Sequence, residues 1–543
     1  MKRYVVFLLA VFMLVPNVSF AERLTSYETG QPIVVQGKEV MLKDNLGLSS
    51  LGFRGVWVNT VWNNDFPKKA GMSEAEYKRE YIQMLDKFQK YYVNAVIFQV
   101  RPSGDAFYFS NLNPISQFLT GTEGQGATWD PLAFMIEEAH KRGMEFHAWF
   151  NPYRVTHKDY EGGKEEILSK LSEQNWARNN PNSVFQAGKK LYLKPWDEKA
   201  RDFIKDTVME VVKKYDIDAV HFDDYFYPSK NLINSNGFYN EESEAYSSKA
   251  KGANVEYWRR SQTDALIQYI KTSIQSYNRV NGDNVQFGIS PVGIWGTLEK
   301  HGPNSYEGAG VNIFGGAYSS FDNQFADTRK WVKEGWIDYI VPQVYWTFQQ
   351  ERSPYGEIVA WWADVVKGTN VKLYIGHANY KLNSKDKKEI AWTNPREIFN
   401  QLKFNDLYKD ISGSVFFNAT TLYDDANFSN ENRRFLEVLS SELASSFEAQ
   451  SQTSTGIKPK EELNVDESVK IDYAVRKTKY GNLVHWVDNY SGVSSHYVIY
   501  RVTNSAGVES KIPLSMVQKL SKTYFYIDKG FNGNAEYRIE AVR

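Results

Sequence analysis

The chain has 543 residues, no cysteine, and 65 acidic against 64 basic side chains. That length holds two to four domains. A formal charge of −1 gives no basic surplus for a nucleic-acid partner or an anionic membrane surface, and without cysteine there is no disulfide framework or thiolate metal site.

The first residues read as an address. Lys2 and Arg3 precede an uncharged apolar run from Tyr4 to Val15, followed by Pro16 and "NVSFAE", with Ser19 and Ala21 in small-x-small positions. This is the pattern of a secretory signal peptide, residues 1–21, cleaved after Ala21. The apolar run is short for a transmembrane segment, and no cysteine follows that could carry a lipid anchor. The expectation is an exported protein, periplasmic or secreted, soluble after cleavage, with residues 22–49 as an N-terminal extension.

From Phe53 to Thr420 one pattern repeats: a short β-branched or aromatic run, a polar loop, then an amphipathic helix. The strand-like runs are FRGVWVNT (53–60), NAVIFQVRP (94–102), MEFHAWFNPYR (144–154), IDAVHFDDYFYP (217–228), VQFGISPVG (285–293), DYIVPQVYW (338–346), VKLYIGHANY (371–380) and GSVFFNAT (413–420). Between them lie helix signals. "WDPLAFMIEEAHKRG" offers Asp130 as cap, Pro131 at the first helical position, an apolar face of Leu132, Met135, Ile136 and Ala139, and Gly143 past the end. Tyr81, Ile82, Leu85 and Phe88 form one further stripe, and Phe203, Ile204, Val208, Val211 and Val212 another; "NPREIFNQL" repeats the cap-then-proline start. Strands alternating with helices imply a parallel sheet, and eight such units imply a closed (β/α)8 TIM barrel over residues 50–445. An open doubly wound sheet would need a Gly-rich first turn, which this sequence lacks. Long insertions at 155–195, 229–253 and 294–322 are expected to build a binding face.

Residues 446–466 shift to a polar Ser/Thr/Lys/Glu-rich linker. Beyond it, short alternating runs at sandwich spacing predict a small all-β, immunoglobulin-like module over 467–543. It resembles a fibronectin type III module, with Trp486 as core tryptophan and Tyr537 as a late-strand corner tyrosine.

In a closed parallel barrel the active site lies where the strands end. Those ends are polar here: Gln99 and Arg101 with Asp105 in the following loop; His147, Asn151 and Arg154; His221, Asp223 and Asp224; Ser290; Gln343 and Tyr345; His377 and Asn379. Asp223 shares strand parity with Ala219 and His221 and so should face the barrel axis, while Asp224 lies at the exit, where the pleat no longer sets direction. A carboxylate there can act as nucleophile, general acid or base, or counter-charge to an oxocarbenium ion. Glycoside cleavage uses two carboxyl groups across a sugar-sized gap. Either the two aspartates splay apart, or a third acid (Asp105, Glu299 or Glu307) completes the set. His147 and His221 lack H-x-H or H-E-x-x-H spacing, so neither a metal nor an organic cofactor is expected; they are expected to bond sugar hydroxyls or orient an aspartate. Trp57, Trp62 and Trp149 read as core, whereas Trp295 and Trp346 come late enough in their segments to stack on a sugar.

"FRGVWVNT", "FQVRPSGDAFY", "PLAFMIEEAHKRGMEFHAWFNPYR", "HFDDYFYP", "YWRR", "FGISPVGIW" and "IDYIVPQVYW" together resemble glycosyl-hydrolase-like family ten, a group of bacterial envelope proteins, over roughly residues 50–440. The resemblance implies a glycoside hydrolase acting on a bacterial polysaccharide, peptidoglycan glycan strands being a plausible one, with Asp223 and Asp224 as the catalytic pair or part of it. It further implies that Arg101, Asp105, His147, Asn151, Tyr153, Arg154, Gln343, Tyr345 and Trp346 line the glycan cleft. Two other readings stay open: a catalytically silent barrel that binds glycan as adhesin or scaffold, and a hydrolase of another bond such as an N-acetyl group.

Overall fold

The computed structural model describes residues 22–43, 46–47, 52–297, 300, 317–383, 389–424 and 429–453 and, in the last module, 465–466, 471–478, 481–487, 496–505, 508–518, 523–529, 531 and 533–542. The segment read as a signal peptide, residues 1–21, lies outside the described residues.

Eight strands close into one barrel: β1 Phe53–Val58, β2 Ala95–Arg101, β3 Glu145–Phe150, β4 Ala219–Phe222, β5 Gln286–Ile289, β6 Tyr339–Ile340, β7 Lys372–His377 and β8 Ile411–Phe416. All neighbours are parallel, and β8 returns to pair with β1. Each expected strand is present. The helix expected after Asp130 spans Pro131–His140; the Asp130 carboxylate accepts from the amides of Leu132 and Ala133, and Gly143 follows with φ +66°. The cap-then-proline start at "NPREIFNQL" forms differently. The Asn394 side chain accepts from Arg396 N, and the helix begins only at Glu397, with no side-chain cap.

Two apolar compartments result. Outside the sheet, helix faces pack onto strands, with Tyr81, Leu85 and Phe88 from one helix and Phe203, Ile204, Val208, Val211 and Val212 from another all buried. Inside, Phe53, Trp57, Ile97, Trp149, Tyr339 and Tyr374 fill the barrel, so it is a packed core and not a pore. The N-terminal extension forms two short antiparallel ribbons, Glu22–Arg23 with Met41–Leu42 and Val34–Val35 with Lys38–Glu39. Val35 seats against Gly356, where a Cβ would come within 2.4 Å of it, and the Ser26 hydroxyl donates to Gln349 at 2.8 Å.

The helix after β8, Asn430–Thr453, continues into the segment read as linker. The last module is a two-sheet all-β sandwich: three antiparallel strands, Tyr473–Thr478, Gly481–Val487 and Thr523–Lys529, and a second sheet ordered Val465–Asp466, Glu536–Val542, His496–Ser505, Val508–Gln518. Trp486 is buried and stacks on Tyr524 at 5.5 Å. The Tyr537 hydroxyl donates to the Asp528 carboxylate at 2.7 Å. The module meets the barrel at the rim where strands begin: a Cβ on Gly143, just before β3, would fall 2.3 Å from His485 Nδ1.

Candidate active site

β4 is flanked by β3 and β5, with Ala219 opposite His147 and His221 opposite Trp149. The inward set therefore climbs in layers. In the lower layer, His147 Nδ1 lies 2.9 Å from the Tyr339 hydroxyl and Nε2 2.9 Å from Glu145 Oε2. One level up, His221 Nδ1 lies 3.0 Å from the same hydroxyl, Nε2 lies 2.9 Å from Ser290 Oγ, and Trp57 Nε1 donates to it at 3.2 Å. Burial, then the neighbouring His147, push the His221 pKa well below its ordinary value, so the ring is neutral.

Asp223 caps this stack and faces the axis as its parity requires. Trp149 Nε1 donates to Oδ2 at 3.0 Å, Asn151 Nδ2 donates to Oδ2 at 3.1 Å, and the Tyr225 amide donates to Oδ1 at 3.1 Å. Asp223 is only 3% exposed. Burial and then the Asp224 charge raise its pKa to about 7, against the pull of Arg154 and its donors.

Asp224 is half-buried. Gln324 Nε2 donates to its Oδ2 at 3.2 Å. Burial raises its pKa; its own backbone amide, Gln343, Gln324 and the Arg154 charge oppose the rise. Arg154 is anchored by two donations to the Pro102 carbonyl, at 2.8 and 2.6 Å, and its guanidinium lies 5.4 Å from the Tyr225 ring centroid. Gln343 Nε2 donates to the Ser290 carbonyl at 3.0 Å. Its position depends on Gly293: a Cβ there would fall 2.5 Å from the Gln343 carbonyl oxygen, so the loops after β5 and β6 touch through backbone. Tyr345, half-buried, stacks on Phe417 at 5.9 Å, and Trp346 is half-buried beside it.

The expected cleft residues thus divide. Asp224, Arg154, Gln343, Tyr345 and Trp346 are open to solvent in part, while the others are sealed. His147 and His221 are 1% and 0% exposed with both ring nitrogens engaged within the barrel, so they bond no sugar hydroxyl; the polar core uses them. Arg101 is buried and donates to the Asn151 carbonyl at 2.7 Å, which places it behind the loop carrying Asn151. Asp105 is buried and accepts from the Ser116 hydroxyl at 2.5 Å and from Ser103 N; it is not the second catalytic acid. Asn151 is 0% exposed, donating to Asp223 and accepting from the Arg154 amide at 3.0 Å. Tyr153 is 1% exposed in the outer core. Trp295, expected to stack on a sugar, is 0% exposed and donates to Asp327 at 3.0 Å. His147 and His221 lie deep within the barrel, while Arg101, Asp105, Asn151, Tyr153 and Trp295 lie buried at or beyond the strand ends, where sequence position alone suggested a rim. Glu299 and Glu307 lie outside the described residues.

Trp149 and Gln324 were not expected as aspartate partners. Trp149 shares inward parity with His147 and Asn151, a signal present in the sequence. Gln324 comes from a distant loop and carries no local signal. Among the described residues, no group of three or more His, Asp or Glu side chains could hold a metal ion, and no helix is long and apolar enough to cross a membrane.

The arrangement can do acid–base chemistry on a polar ligand: two adjacent carboxyl groups with raised pKa values, one reaching solvent, beside a fixed cation, amides and aromatic faces. Comparison with known proteins fits that chemistry. The chain is 43% identical over 371 residues to Glycosyl hydrolase YngK of Bacillus subtilis (strain 168), covering 68% of each chain. It is 38% identical over 389 residues to Glycosyl hydrolase DigH of Escherichia coli (strain K12), covering 68% of this chain and 83% of that one. Among solved structures, an α-amylase from Geobacillus thermoleovorans aligns at TM-score 0.39 and 9% identity over 91% of this chain and 98% of the other; the fold assignment rests on strand topology and not on that likeness. The family model described as "Glycosyl hydrolase-like 10" matches residues 52–394, and the chain belongs to that family and is a glycoside hydrolase.

Proposed function

We propose that this protein is an exported hydrolase of O-glycosidic bonds in a bacterial polysaccharide, with the glycan strands of peptidoglycan as substrate. The observation that carries the reading is the Asp223–Asp224 pair at the end of β4, with Asp224 reaching solvent among half-buried Arg154, Gln343, Tyr345 and Trp346. The N-terminal leader pattern supports export, and the resemblance to an envelope family supports the substrate.

In hydrolysis the leaving oxygen gains a proton and the anomeric carbon gains the hydroxyl of water. Two adjacent carboxylates in a desolvated site cannot both ionise cheaply. The two titrations are therefore linked, and Asp223, the more deeply buried of the two, has its pKa raised to about 7. Asp224 is the member that meets the sugar. Asp223 sits behind it as a positioning residue, and the proton it keeps near neutrality spares Asp224 a second negative charge alongside. The remaining carboxyl group demanded by the reaction is sought in Glu299 and Glu307 of the loop after β5. The sandwich module, which we read as fibronectin type III-like, serves packing or spacing.

The test is incubation of the mature protein with peptide-free peptidoglycan strands and measurement of new reducing ends. Release by the wild type and its loss in Asp224→Asn are expected. Binding without release would replace this reading with a glycan-binding scaffold, and acetate without shorter chains would replace it with deacetylation.

A further inference from the structure

The loop after β1 holds an aromatic ring in an unusual way. Trp62 is 59% exposed, and its backbone sits at φ +63°, ψ +14°, followed by Asn63 at φ +52°. Left-handed backbone suits glycine and is tolerated by asparagine; a bulky tryptophan there costs about 1–3 kcal/mol and persists only where the surroundings enforce it. The surroundings do enforce it. Asn63 Nδ2 donates to the carbonyls of Pro67 and Phe118 at 3.0 and 2.7 Å, and Asp65 ties the loop to the segment after β8 by accepting from Asn418 Nδ2 at 2.7 Å and from the Thr420 hydroxyl at 2.6 Å. The chain thus accepts strain to keep a large apolar ring in water, where folding gains little from it.

The ring is also aimed. Its flank meets the His157 ring edge-on at 4.8 Å and Phe118 at 6.1 Å, leaving the indole broadly open. Burial, followed by the charges of Lys158, Arg154 and Lys190, lowers the His157 pKa to about 4, so a neutral ring props the indole. The same β3 loop that carries His157 carries Arg154, whose guanidinium covers the 56%-exposed Tyr225 ring next to Asp224. The loop after β3 thus supports both exposed rings, Tyr225 through Arg154 and Trp62 through His157.

We propose that Trp62 is a sugar-stacking platform, a distal subsite that takes the apolar face of one pyranose ring several contacts away from the carboxylate pair and so gives the enzyme its preference for long glycan strands. The proposal rests on the glycan-hydrolysing reading above and adds a chain-length selector to it. The amphipathic face of a sugar ring suits an indole in the same way that other flat, partly apolar ligands do. Because the platform touches the substrate away from the bond being cleaved, its contribution is made equally in ground and transition states and appears in KM.

The experiment compares wild type, Trp62→Ala, Trp62→Phe and Trp62→Gly on peptide-free peptidoglycan strands and on a disaccharide fragment of the same strands. The expected result for Trp62→Ala is a KM on long strands raised about tenfold, the scale on which truncating a tryptophan anchor acts, with kcat unchanged and cleavage or binding of the disaccharide unaltered. Trp62→Phe should recover much of the loss. Trp62→Gly should lose the same affinity yet raise Tm, since glycine relieves the left-handed strain; this separates a binding role from a merely structural one. A Trp62→Ala enzyme with wild-type KM on long strands, or a Trp62→Gly protein that melts lower, overturns the subsite while leaving the glycosidase reading intact. A wild type that releases no reducing ends overturns the glycosidase reading itself, and the subsite with it.

Discussion

The barrel interior has two polar regions, one below the other, and their contrast is instructive. In the lower one, His147, His221, Tyr339, Glu145 and Ser290 satisfy one another and admit no solvent. In the upper one, Asp224, Arg154 and Gln343 keep part of their surface free. Both regions contain residue types that can do chemistry, but only the upper one has bonding capacity left for a ligand. Asp223 stands at the boundary, bonded from below by Trp149 and adjacent to Asp224 above.

The sharpest way to break this contrast is to neutralise the two aspartates in turn. Asp224→Asn should lower kcat by roughly 10²-fold or more, the scale of a lost acid–base group, with Tm unchanged. Asp223→Asn should also lose turnover, and it should change stability in a pH-dependent way. Its three donors all need acceptor oxygen, and an amide presents one oxygen fewer, leaving a buried donor unmatched at a cost of about 1–3 kcal/mol. Native Asp223 holds its proton to about pH 7 against an ordinary 3.8. The folded state thus binds more protons throughout that window, and this residue's contribution to stability falls as pH rises from about 4 to about 7. The variant lacks that slope, so its Tm deficit should narrow over the same interval. A deficit that widens with pH would show that Asp223 is ionised well below neutrality.

A second comparison sets the lower region against the upper by stability and affinity. His147→Ala removes partners of Tyr339 and Glu145 and opens a cavity, so chemical denaturation should show a loss of about 2–4 kcal/mol, while kcat/KM per folded molecule stays near wild type. Arg154→Ala should do the reverse, weakening glycan binding about tenfold with a smaller change in Tm. Both variants behaving alike would mean that the two regions act as one network. The smallest effect on activity is expected far from either: Trp486→Ala should destabilise the sandwich by about 3–5 kcal/mol and leave glycan release unchanged, which a two-step melting curve combined with the reducing-end assay would reveal.

Much of this was legible before any coordinates. All eight strands announced themselves through alternation with amphipathic helices, and the inward aim of Asp223 followed from its parity with Ala219 and His221. Depth did not. Parity says which way a side chain points and is silent on how far along the barrel axis it sits, so His147, the third residue of β3, passed for a rim residue. Nor does parity say what folds over a strand end, which is why Tyr153, Asp105 and Trp295 looked available and are covered. The exposure of Trp62 was equally hidden, because it depends on a backbone conformation that its neighbours impose from β2 and β8 loops far away in sequence.

The contact between Gly143 and His485 fixes the sandwich to the rim where strands begin, a whole barrel height from Asp224. A carrier joined through the sandwich is therefore attached at the end of the barrel opposite the carboxylates.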